Sequence, residues 1–278
     1  MFLLNRSFLK KYKFLAFFRI FFNPFFLFSP ILAFKKLIYN PKKDLDRNTE
    51  LLIDLELDIE KIKLQLKDLN LDYYTYHHLS WHYHLFAGLS QKFKKIRILE
   101  IGTYSGDFTS FLSSIFPDSE IITCDLAEDN NQFINSYDRD DANIKKTFLE
   151  KRKINLNKKN IKFLELDSIS LLEHFEKNSF DLIWIDGDHL NPQVSIDIIQ
   201  SLVMLKKNGI MVCDDVIKNR FQYTNASNES FKTLEFLKKK NIISSRYLVK
   251  RITRSNSDIK KFISISKKSN NNDLPRNS

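Results

Sequence analysis

Six aspartates stand at the ends of apolar runs in this chain: Asp125, Asp167, Asp186, Asp188, Asp214 and Asp215. One acid in such a place commonly caps a helix, but this many at equivalent positions suggest a polar site along one edge. A second group occupies the turn after KIRILEI, where Glu100, Gly102 and Gly106 lie. Glycine lets a backbone turn tightly there and approach a ligand with no Cβ in the way. The chain holds only five glycines, and Gly102, Gly106, Gly187 and Gly209 all fall beside these runs, as expected if backbone geometry selects their places. Asp125 follows the turn by about twenty residues, where a carboxylate ending a second strand can accept hydrogen bonds from ribose hydroxyls. Together these residues point to a nucleoside-containing cofactor.

The elements that would position them follow from the apolar pattern. Ile96, Ile98, Leu99 and Ile101 form an almost continuous run, which suits a parallel strand buried on both faces. Phe108, Phe111, Leu112, Ile115 and Phe116 then recur at the spacing of one helix face, and Pro117 ends that helix. The strand pattern repeats in EIITCDL from Glu120, NIKFLELDS from Asn160, FDLIWIDGDH from Phe180 and GIMVCDDV from Gly209. Strands alternating with helices predict a doubly wound parallel sheet that binds its ligand at the strands' carboxyl ends. A nicotinamide dinucleotide would call for G-x-G-x-x-G, whereas Tyr104 holds the middle position here.

The run LEIGTYSG, with Asp125 after the second strand and LDS after the third, resembles a class I S-adenosylmethionine-dependent methyltransferase. The resemblance covers roughly residues 81–267, including SSRYLVKRIT and DIKKFISISKK as a closing hairpin. It implies an α/β, Rossmann-like, mostly parallel seven-stranded sheet with a terminal antiparallel hairpin. It also implies that Glu100, Gly102 and Gly106 line the methionine side of the cofactor, that Asp125 holds the ribose, and that Asp167 and Ser168 lie near the adenine. IDGDH and VCDDV are similar to segments of metal-dependent O-methyltransferases acting on catechols and on sugar hydroxyls. By that similarity Asp186, Asp214 and Asp215 would ligate Mg²⁺, and His189 would be the general base. Oxygen ligands suit Mg²⁺, which can lower the pKa of a bound hydroxyl and orient its oxygen. The acceptor implied is a hydroxyl on a sugar, glycolipid or small molecule. The competing readings are that the acids only cap turns and strands, that transfer is metal-independent, or that the chain is a noncatalytic cofactor-binding scaffold at a membrane.

Around residues 81–267 lie three further regions. Residues 1–43 contain a Phe-rich stretch, Phe14 to Phe34, interrupted by Arg19, Asn23, Pro24 and Pro30 and flanked by lysines on both sides. It reads as an interfacial or re-entrant anchor on the cytoplasmic face of a membrane, with a helical cap or a homodimer face as the alternative. Residues 44–80 are predicted to be helical, with a stripe through Leu52, Leu55, Ile59, Ile62, Leu66 and Leu69 that packs on its own domain. Near their end come His77, His78, His82 and His84. His78 and His82 have the i, i+4 spacing of a zinc pair but no companion motif, so a substrate entrance is the preferred reading. Residues 268–278 read as a disordered polar tail. Cys124 and Cys213, both in apolar runs, form neither a disulfide framework nor a zinc pattern, which fits a reducing cytoplasm. The net charge of +10 accompanies no basic and aromatic stripe, so nucleic acid is not the expected partner. After Asp125 an acidic segment leads into a basic helix from about Ala142, read either as a cofactor lid or as a solvated connection.

Overall fold

In the computed structural model, β1 (Arg97–Ile101) is the strand on which the sheet is built, and every residue but its first is buried. The structure describes residues 41–71, 80–218, 228–252 and 260–269. The expected anchor at residues 14–34, His77 and His78, and the tail from residue 270 lie outside the described residues.

β2 (Glu120–Asp125), β3 (Ile161–Glu165), β4 (Phe180–Ile185), β5 (Leu205–Ile217), β6 (Ile243–Val249) and β7 (Lys261–Lys268) complete a seven-stranded sheet in the order β3-β2-β1-β4-β5-β7-β6. β1 pairs in parallel with β2 and β4, and only β7 runs antiparallel to its neighbours β5 and β6. This is the doubly wound, mostly parallel sheet that the pattern predicts, closed by the terminal antiparallel hairpin that the resemblance implies. The strand order reverses between β1 and β4, and such a switch point opens a crevice beyond the strand ends.

Alternate residues along each strand serve opposite faces, which is why the runs are apolar throughout. Ile98, Leu182, Trp184, Ile210 and Val212 enter one core, whereas Leu99, Ile101, Ile183, Ile185, Met211 and Cys213 enter the other. The first core is covered by α1 (Pro41–Asp54), α2 (Ile59–Asp68), α3 (His82–Lys92) and α4 (Asp107–Ile115). The second is covered by α8 (Gln193–Met204) and α9 (Glu229–Lys239). The connections after β2 and β3 carry α5 (Asn131–Ile134), α6 (Ala142–Leu156) and α7 (Leu171–His174).

Two local findings depart from the periodicity. The stripe over residues 44–70 is not one helix: the chain breaks after Asp54, Glu56 adopts a φ of 57°, and Asp58 caps α2 by accepting from the amides of Glu60 and Lys61. An acid that can satisfy orphan amide groups restarts a helix more cheaply than the stripe continues through the turn. His82 and His84 are core groups rather than entrance groups, both buried on α3. His82 meets Trp184 and Phe108 at ring-centroid distances of 5.1 and 4.6 Å, and His84 stacks on Trp81 at 4.5 Å. Burial pushes their pKa values down to about 3 and about 4, so both are neutral.

Candidate active site

The turn after β1 is tied to both neighbouring strands. The amides of Gly102 and Thr103 donate to the Cys124 carbonyl, and the Asp186 amide donates to the Ile101 carbonyl at 2.8 Å. Gly102 has a φ of +96°, and a Cβ there would stand 2.4 Å from the Asp186 carbonyl oxygen. Only glycine fits, because both the backbone angle and the neighbouring strand exclude a side chain. Tyr104, at φ 50°, turns its amide onto Asp125 Oδ2 at 2.7 Å.

Glu100 supports this turn from beneath. It is 1% exposed, and its Oε2 accepts from Thr109 on α4 at 2.5 Å and from Thr123 on β2 at 2.7 Å. Burial pushes its pKa up to about 7 against the lowering effect of those two hydroxyls. Gly106 starts α4 with a φ of +74° and faces Asn155 and Leu156 of α6.

The crevice at the switch point is a cavity of about 1000 Å³. Gly102, Asp125, Asp167 and Ser168 line one part of it, and Asp186, His189 and Asp215 line another. Glu100, Gly106 and Asp214 are not among its lining residues. Asp167 also caps the turn that follows it by accepting from the Ile169 amide, and Asp188 does the same for Leu190.

Asp125 is held by a partner that no local pattern announces. Arg152, 3% exposed on α6, donates from Nη2 to Asp125 Oδ2 at 3.0 Å and from Nε to the Tyr104 carbonyl at 2.7 Å. Its guanidinium lies about 5 Å from the rings of Phe133, Phe148 and Phe163, and burial lowers its pKa. The Leu126 amide donates to Asp125 Oδ1, so the carboxylate already accepts three hydrogen bonds. A carboxylate offers about four acceptor positions, which leaves one for a ribose hydroxyl. α6 is thus a sheet-flanking helix, while the segment before it lines the cavity through Phe133, Tyr137 and Arg139.

At the other end, His189 Nε2 lies 3.7 Å from both Asp186 Oδ1 and Asp215 Oδ2, and its buried Nδ1 has no hydrogen-bond partner. Burial lowers the His189 pKa despite the nearby carboxylates, so the imidazole is neutral at pH 7. The Asp186 carboxyl is pushed well above the usual range by burial and then by the charge of Asp214. Asp215 moves the opposite way: burial opposes ionisation, but the ammonium groups of Lys250 and Lys261 outweigh it. Lys250 donates to Asp214 Oδ2 and to Asp215 Oδ1, the latter at 2.6 Å, and Lys261 donates to Asp215 Oδ2. Two of the three expected Mg²⁺ ligands, Asp214 and Asp215, therefore meet lysines, while Asp186 lies beside His189. Among the described residues no group of His, Cys, Asp and Glu side chains is arranged to hold a metal ion. Sequence reasoning missed Arg152, Lys250 and Lys261. The signal available for the lysines was their place at the two inner ends of the closing hairpin.

Residues 99–216 match a family model described as a methyltransferase domain. Among solved structures, a Staphylococcus aureus protein assigned as a caffeoyl-CoA O-methyltransferase is 19% identical with a TM-score of 0.51. That match covers 80% of this chain and 99% of that one. An O-methyltransferase from Bacillus cereus, in complex with SAH, is 20% identical with a TM-score of 0.47, covering 80% of this chain and 97% of that one. Among curated proteins, none is similar enough to match.

Proposed function

We propose that the chain is an S-adenosylmethionine-dependent methyltransferase acting on a hydroxyl oxygen. The observation that carries the reading is the pairing of a turn open only to glycine at Gly102 with the Asp125 carboxylate across one cavity at the switch point. The family match over residues 99–216 supports the same reading.

S-adenosylmethionine supplies, when bound, a methyl group on a sulfonium centre, which is an electrophile. The chain's own residues bind and orient. Gly102 lets the backbone close on the cofactor, and Asp125 offers its remaining acceptor position to the ribose. His189 is the general base. Its neutral imidazole can take the hydroxyl proton as the acceptor oxygen attacks, ending as imidazolium while the carbon–sulfur bond breaks. Asp215, ionised and 3.7 Å away, stabilises the imidazolium that forms. The acceptor class that fits is a hydroxylated small molecule or a glycan, presented at a membrane surface if residues 14–34 contact lipid.

Calorimetry with S-adenosylmethionine tests the reading. Wild type binds, and Asp125→Asn binds about 10- to 100-fold more weakly, as expected for the loss of a charged hydrogen-bond acceptor. No binding to wild type overturns the proposal. Asparagine is preferred to alanine because it still accepts from the Tyr104 amide beside the buried Arg152.

A further inference from the structure

We infer that Lys250 occupies, between Asp214 and Asp215, the position a divalent cation would need, and that the site works with this lysine in place of a metal ion. The local backbone is built for it. Cys213 pairs with Ser264 and Val216 with Phe262, so Asp214 and Asp215 together face Ile263 alone: a β-bulge. Asp215 takes a φ of 49° there, and the extra residue turns both carboxylates toward the closing hairpin. The hairpin answers with two ammonium groups. Lys250 follows β6 directly and Lys261 opens β7, and the Lys250 amide donates to the Lys261 carbonyl at 2.9 Å. The Lys250 carbonyl is itself fixed by the Trp81 amide at 2.8 Å.

Three of the four oxygens of Asp214 and Asp215 accept from these lysines. The fourth, Asp214 Oδ1, is buried with no hydrogen-bond partner. The Lys250 side chain is 11% exposed and Asp214 is 1% exposed, so the pair is shielded from water and from competing ions. The two ammonium groups offset the charges of Asp214 and Asp215, and an ion placed between these two acids would be repelled by both lysines at ion-pair distance. Lys261 also lines the cavity beside His189 and Asp215. Its ammonium, held by Asp215 Oδ2, sets at the cavity wall a positive charge that Lys250, which is not among the lining residues, does not present.

This inference rests on the reading of the cavity as a methyl-transfer site only for its chemical consequence, and its test is independent of turnover. Mn²⁺, as a paramagnetic stand-in for Mg²⁺, is titrated into the full chain and free Mn²⁺ is read by electron paramagnetic resonance. Asp214→Asn serves as the reference that subtracts binding elsewhere. Wild type and Asp214→Asn are expected to give the same isotherm, whereas Lys250→Met, which unmasks the carboxylates, binds one Mn²⁺ at least 10-fold more tightly. A stoichiometric wild-type site lost in Asp214→Asn overturns the inference, and so does a folded Lys250→Met that gains nothing. If Lys250→Met does not fold, the Lys250→Gln variant, which removes the same ammonium but keeps a hydrogen-bond donor, takes its place with the same expectation. Calorimetry with S-adenosylmethionine on the same preparation separates the two readings. Cofactor binding together with a site-specific Mn²⁺ sinks the lysine assignment alone. Absence of both sinks the methyltransferase reading alone.

Discussion

Glu100 is the residue whose chemistry is most at odds with its place. It sits at the start of the turn proposed to close on a cofactor, yet its carboxyl is 1% exposed and its pKa is pushed up to about 7 from 4.5. In the unfolded chain it would ionise near 4.5, and in the folded chain only near 7. Between those values the unfolded state binds fewer protons, so this residue's contribution favours folding fully below pH 4.5 and is lost as pH rises through 7. The loss amounts to roughly 3 kcal/mol, from about 1.36 kcal/mol per pKa unit. Glu100→Gln should accordingly gain stability over wild type at pH 8 and lose that advantage at pH 4.5. Denaturant unfolding at the two pH values measures this, and an equal difference at both would show that Glu100 is not held neutral. The motif letters announced this glutamate but not its orientation, because Thr109 and Thr123, which hold it, come from a helix and a strand outside the motif.

Among the elements, the turn after β1 and the bulge in β5 do most to shape the site. Gly102→Ala would force a Cβ against the Asp186 carbonyl at a φ that L-residues avoid. It should cost more than about 1 kcal/mol of stability and weaken S-adenosylmethionine binding together, since strand β4 must move to make room. Thermal unfolding and calorimetry on one preparation check both effects, and an alanine variant as stable as wild type would contradict the steric account. These strands and turns were legible because their residues are contiguous: apolar run, acid, glycine. The bulge was not, since DD after VC reads equally as a strand end, and only pairing with β7 shows that two residues oppose one. The break between α1 and α2 was hidden for the opposite reason, a stripe that keeps its period across a turn.

At the scale of the whole molecule, the legible part is the sheet and the rim of acids, and the illegible part is what neutralises them. Arg152 reaches Asp125 from 27 positions away, and Lys250 and Lys261 reach Asp215 from 35 and 46. No periodicity encodes such pairs, because each is created by the folding that brings the elements together. Among the described residues no helix is long and apolar enough to cross a membrane. The anchoring proposal for residues 14–34 is tested by cell fractionation of the full chain and of a chain lacking residues 1–40, which keeps α1. The full chain should sediment with membranes and the shorter one should not; a full chain wholly in the supernatant ends the proposal. The strand order carries a final consequence for synthesis. β6 leaves the ribosome before β7 but reaches the sheet only through it, since β7 lies between β5 and β6. Until that pair arrives, Asp214 and Asp215 have no cations beside them, and a nascent or prematurely terminated chain presents an acid-repelled, open-edged sheet.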